Sequence, residues 1–153
     1  MKKCAALLLL LALPLPAVAA DLSVKGLVAK PLSLSLAALK AYSASRVAVT
    51  QTSGRGPVTL DCSGVAVSAL LEAAQPQYGV ARNARLAHTL LFTADDGYQV
   101  ALAVAETDAW ANHAAPIPAT TCNGKELDAP RLIVPGDAAA GRAINGVVSM
   151  ELK

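Results

Sequence analysis

Aromatic residues are scarce in this chain: one tryptophan, three tyrosines and one phenylalanine among 153 residues. Histidine is scarcer still, with His88 and His113 far apart in sequence. Each reads as a surface or loop residue, because a metal site needs several convergent ligands. Charge of one sign is also missing. Thirteen lysines and arginines face eleven acids, and without Lys2 and Lys3 the counts are equal. Nothing forms the basic face that nucleic acid or an anionic membrane requires. The common catalytic signatures are absent too. There is no phosphate-binding glycine loop, no Gly-x-Ser-x-Gly elbow and no His-Glu-x-x-His pair.

One long apolar run is present, and it stands at the start. Lys2 and Lys3 precede Ala5 to Leu13; Pro14 and Pro16 break the run; Ala17 to Ala20 offer small residues for cleavage. That is the layout of a secretory signal over residues 1–20. The run is too short for a spanning helix, which needs roughly 20 apolar residues. No later stretch approaches that length, so no membrane insertion is expected after cleavage. The expected location is periplasmic or secreted. Residues 21–153 then form one domain of ordinary size.

Cys4 falls in the signal, which leaves Cys62 and Cys122. In an oxidising compartment an even pair reads first as a disulfide. A free redox thiol and a thiolate ligand to metal are the alternatives.

The pattern along residues 21–153 mixes strands with short helices. Leu22 to Val28 alternates as a half-buried strand. Ser33 or Ser35 caps a helix over Leu36 to Ala41. Val47 to Thr50 and Val58 to Leu60 are short strands on either side of a turn-rich patch. Gly64 breaks the chain before a helix over Val67 to Ala74, with Leu70 and Leu71 inward and Pro76 as its stop. Leu90 to Thr93 and Tyr98 to Val104 make a hairpin about Asp95-Asp96-Gly97. The two aspartates are read as turn residues, since Asp accepts bonds from nearby amides there. A short helix is expected over Ala105 to Ala111 and a loop over Asn112 to Pro118. Arg131 to Val134 is a strand, and Ile144 to Leu152 closes the chain with an interruption at Gly146. Without regular β-α-β alternation this is an α+β fold.

Two residues invite a binding role. Arg131 opens an apolar strand, where its five donors suit phosphate or carboxylate. A salt bridge at a strand edge explains it equally well. Trp110 can stack on a planar ligand or simply fill core.

The ordered segments carry more information than any one motif. They include Leu34 to Leu39, Val47 to Thr50, Gly64 to Ala74, Asp96-Gly97-Tyr98, Asn123-Gly124-Lys125-Glu126-Leu127 and Pro130-Arg131-Leu132-Ile133-Val134-Pro135-Gly136-Asp137. In order and spacing they resemble the oxidoreductase molybdopterin-binding domain, the mixed-sheet catalytic-core fold of sulfite oxidase. The similarity covers nearly all of residues 21–153. It implies a cleft for a pterin, with Arg131, Trp110, Tyr98 and Asn123 as candidate ligand-binding residues. It also implies a cysteine thiolate to molybdenum just after the strand matching Val47 to Thr50. That place holds Gln51, Thr52 and Ser53 here. The basic loops that hold the cofactor's phosphate in such enzymes are missing as well. Thiolate is the natural soft ligand for this metal, so no catalytic residue and no metal ligand are assigned. The expectation is an exported, non-catalytic binding domain that takes a pterin rather than molybdopterin. Small exported relatives imply a membrane-bound signalling partner. Two other readings stand beside it: an oxidoreductase with Cys62 or Cys122 as a shifted ligand, and a ligand-free accessory subunit.

Overall fold

A computed structural model describes residues 21–42, 44–108 and 114–153. The expected signal segment, Trp110 and His113 lie outside the described residues.

Two sheets divide the domain. In the first, strands run in the order β2-β1-β9-β5-β6. They are β1 (Leu22–Gly26), β2 (Leu32–Leu34), β5 (Thr89–Ala94), β6 (Gln99–Ala103) and β9 (Val147–Leu152). β1 and β9 are parallel; the other neighbours are antiparallel. The second sheet runs β3 (Ala44–Ser53), β4 (Gly56–Val65), β7 (Ile117–Cys122) and β8 (Lys125–Ile133), all antiparallel. This mixed two-sheet arrangement with few short helices is the α+β class that the pattern implied.

Helix α1 (Leu36–Lys40) is capped by Ser35, whose hydroxyl accepts from the Ala38 N–H at 3.1 Å. Helix α2 (Val67–Ala74) buries Val67, Leu70, Leu71 and Ala74. That spacing is one helical face. It packs into the main core with Leu22, Phe92, Leu102, Leu132 and Met150. Gln75 ends the helix in the left-handed conformation, directly before Pro76.

Several expectations need correction. Gly64 does not break the chain; it lies inside β4, at a register shift against β7. The loop expected over Asn112 to Pro118 runs into a strand, because β7 begins at Ile117. Pro118 argues against a strand in sequence, yet it sits beside that same shift, where the ladder is already interrupted. β2 was not foreseen; three residues are too few for a period to show. The helix expected over Ala105 to Ala111 is, in its described part, a 3-10 turn over Val104–Thr107.

The second sheet curls strongly. β3 and β8 stand at its opposite edges. Yet the Gln51 amide donates to the Val134 carbonyl at 3.2 Å, and the Thr52 N–H donates to Ala138 at 2.8 Å. The β3 edge therefore meets the segment that follows β8. Val47, Val49, Leu60, Cys62, Ile117, Ala119, Cys122 and Ile133 fill the inside of the curl as a second core. Cys62 and Cys122 face each other directly across β4 and β7, 4.1 Å apart at Cα, and are joined as a disulfide.

Candidate ligand cavity

The β5–β6 turn builds one wall of an open cavity. Gly97 takes φ +84°, a conformation that glycine adopts freely. Asp96 Oδ1 accepts from the Tyr98 N–H at 2.9 Å. The turn reading of the Asp pair is therefore correct for Asp96. The Asp95 N–H donates to the Gly146 carbonyl at 2.8 Å, which ties the turn to the start of β9. The Tyr98 hydroxyl reaches across and donates to the Gly141 carbonyl at 3.2 Å. Between the turn and residues 140–145 lies a space of about 380 Å³. Tyr98, Asp95, Asp96 and Asn145 supply its polar lining; Ala94, Ala140, Ala143 and Ile144 supply small apolar walls. Tyr98 is 53% exposed, so its ring is available to a ligand.

A partly buried charge network braces the far wall. Arg142 donates to both oxygens of Asp137, at 2.9 and 2.6 Å, and to Glu106 at 3.0 Å. Glu106 in turn accepts from the Ala103 N–H at 2.7 Å. The hydrogen bonds with Asp137 raise the Arg142 pKa above the ordinary guanidinium value; partial burial pulls the other way, and Glu106 adds to the rise. The 104–107 turn and the 137–142 segment are thereby joined through one side chain. Arg142→Gln loses the two-pronged bond. A destabilisation of about 1–2 kcal/mol is expected for this partly exposed pair, measured by urea unfolding.

The structure separates the four residues singled out in sequence. Tyr98 lines the cavity. Arg131 does not, although the N–H of its neighbour Leu132 donates to the Ile144 carbonyl of the cavity wall at 2.9 Å. Arg131 shares the inner face of the curled sheet with Ile133. Burial lowers its pKa, and its Nε has no hydrogen-bond partner. It makes no ion pair among the described residues, so the salt-bridge explanation has no carboxylate there. Asn123 is at the other end of the β7–β8 hairpin. It and Gly124 form a two-residue turn with φ of 50° and 73°, the mirror-image turn that Asn-Gly favours. Its Oδ1 accepts from the Asp61 N–H at 2.9 Å, so the side chain is engaged in holding that turn. Trp110 lies outside the described residues. From the sequence Asp95 reads only as a turn residue, and Asn145 and the 140–145 segment carry no binding signal at all. Only the meeting of two distant turns makes them neighbours, and no local signal announces that.

The place that the resemblance assigns to a metal thiolate holds Gln51, only 2% exposed. Its amide nitrogen is bound to Val134, while its Oε1 is buried without a partner. Cys62 and Cys122 are spent on each other. Among the described residues no three histidine, cysteine or acidic side chains converge to hold a metal ion. This donor set does not fit a molybdenum centre held by thiolate.

Fold and cavity together define a two-sheet α+β domain with an open, acidic, aromatic-walled pocket. No protein-family model matches the chain, and no curated protein matches it. Among solved structures, the sulfane dehydrogenase SoxCD from Paracoccus pantotrophus is similar, with a TM-score of 0.71 at 18% sequence identity. The match covers 92% of this chain and 40% of that one, so this chain spans well under half the length of its neighbour. At that identity the likeness shows the fold, which agrees with the sulfite-oxidase-like architecture that the ordered segments resemble. No helix among the described residues is long and apolar enough to cross a membrane.

Proposed function

We propose that this chain is an exported, non-catalytic domain of the sulfite-oxidase fold that binds a planar, pterin-like small molecule beside Tyr98. The observation that carries this reading is the cavity of about 380 Å³ with an exposed tyrosine on its wall. Its size falls within the range of small-molecule sites, and a tyrosine ring offers a flat apolar face with a polar tip. The non-catalytic part is supported by the sulfurs. A shifted metal ligand needs a free thiolate, and the Cys62–Cys122 bond leaves none.

The test is the molybdenum and pterin content of the mature protein purified from its native compartment. Pterin without molybdenum is expected. Molybdenum and pterin in equal, near-stoichiometric amounts overturn the non-catalytic reading and return attention to the cysteines. Neither group in the protein, with no binding of added pterin, overturns the ligand reading and directs the search to a membrane-bound protein partner. Tyr98→Ala is expected to weaken pterin binding about tenfold, the size of one aromatic contact, measured by quenching of pterin fluorescence.

A further inference from the structure

We infer that the cavity selects an unphosphorylated planar ring bearing N–H donors and rejects the phosphate ester of the same ring. This rests on the ligand-binding reading above and adds the charge of the ligand to it.

Two carboxylates, Asp95 and Asp96, stand in the lining, and no lysine or arginine does. Asp96 gives one oxygen to the Tyr98 N–H. Among the described residues Asp95 makes no side-chain hydrogen bond or ion pair, and neither does the amide of Asn145. A ring edge with adjacent amino and N–H groups donates to a carboxylate through short, charge-assisted bonds. The Tyr98 ring and the alanine walls accept its flat face.

Arg142 stands in sequence between Gly141 and Ala143 of the lining but is not part of it. It is held by Asp137 and Glu106, two carboxylates for one guanidinium. No positive charge is left over there to meet a phosphate. Arg131 does not line the cavity. A phosphate monoester carries close to two negative charges at neutral pH. Placed here it meets the fields of Asp95 and Asp96 with no compensating positive charge in the lining, and like charges at close range repel. The chemistry of the lining therefore inverts the phosphate-holding surface that the resemblance implied for the enzymes.

The test titrates the mature protein with 6-hydroxymethylpterin and with its phosphate monoester, by fluorescence, at low and high salt. The ester is expected to bind about tenfold more weakly at low salt, and the gap is expected to narrow as salt screens the carboxylates. Asp95→Asn is expected to narrow it about threefold, since one of two like charges is gone. The salt series reads the same effect without a variant, should Asp95→Asn fail to fold. Equal binding of both compounds, tighter binding of the ester, or a gap indifferent to salt overturns the inference and leaves the ligand reading standing. Failure of both compounds to bind overturns the ligand reading itself, and this inference with it.

Discussion

Gly64→Ala is expected to abolish or severely reduce folding of the domain. A Cβ on Gly64 would stand 2.2 Å from the Pro118 carbonyl oxygen and 2.6 Å from the Ala119 Cα. Both obstacles are backbone, so no rotamer change relieves the contact. Either β4 separates from β7 or the register shift between them is rebuilt. The two strands also carry the disulfide and close the second core. Overpacking usually costs 1–3 kcal/mol, and a rigid backbone obstacle belongs at the upper end. A loss of about 3 kcal/mol or more is expected. For a domain of this size that lowers Tm by about 10 °C or more. Circular dichroism melts and soluble yield measure it. A variant that melts within about 2 °C of the parent would mean that the strands do not approach this closely. Gly26 meets a comparable backbone obstacle: it has φ +93°, and its Cβ would lie 2.1 Å from the Leu152 carbonyl oxygen.

Removal of the disulfide is the second large effect. Cys62 and Cys122 enclose a sequence separation of 60. By loop entropy, a link of that length stabilises by about 4 kcal/mol. The pair replaced together, Cys62→Ala with Cys122→Ala, is expected to lower Tm by on the order of 10–15 °C. Adding reductant to the parent is expected to produce a similar shift. A single replacement leaves one thiol free inside the second core and is the less clean experiment. A thiol titration of residues 21–153, denatured and unreduced, is expected to find no free thiol. Two free thiols, or a double variant as stable as the parent, would overturn the bond. The same titration bears on the enzyme alternative, because free cysteines would again be available to a metal.

Local chemistry made parts of this architecture readable. Helix α2 was legible end to end, because Val67, Leu70, Leu71 and Ala74 fall on one helical face and Pro76 follows closely. The β5–β6 hairpin was legible because Asp-Gly sits between two alternating apolar runs. The Ser35 cap was one of two serines proposed, and the hydroxyl bond to Ala38 decides between them. Short or interrupted elements were harder. β2 has three residues, and β7 carries a proline at a position that only the register shift excuses.

The candidate site was legible in one residue of four. Tyr98 follows a recognisable turn and does line the cavity. Asn123 has the composition of a binding residue, but its carboxamide is turned to Asp61. Arg131 stands at the head of an apolar stretch, which is its only binding signal in the sequence. Its half-buried, unpaired guanidinium does need an account, but it faces the inside of the curled sheet and not the cavity.

By itself the sequence determined the expectation of an export signal, the α+β class, the main amphipathic elements and the pairing candidates Cys62 and Cys122. Those depend on neighbours a few residues apart, or on composition, and both are written along the chain. Only the tertiary structure decided that β3 meets the segment after β8 through Gln51, that the two cysteines stand directly across a ladder, and that Asp95 and Tyr98 face residues 140–145. It also decided that Arg142 spends its charge on Asp137 and Glu106. These are contacts between segments far apart in sequence. They arise from strand order and sheet curvature, which follow from burying two cores at once and not from any local pattern.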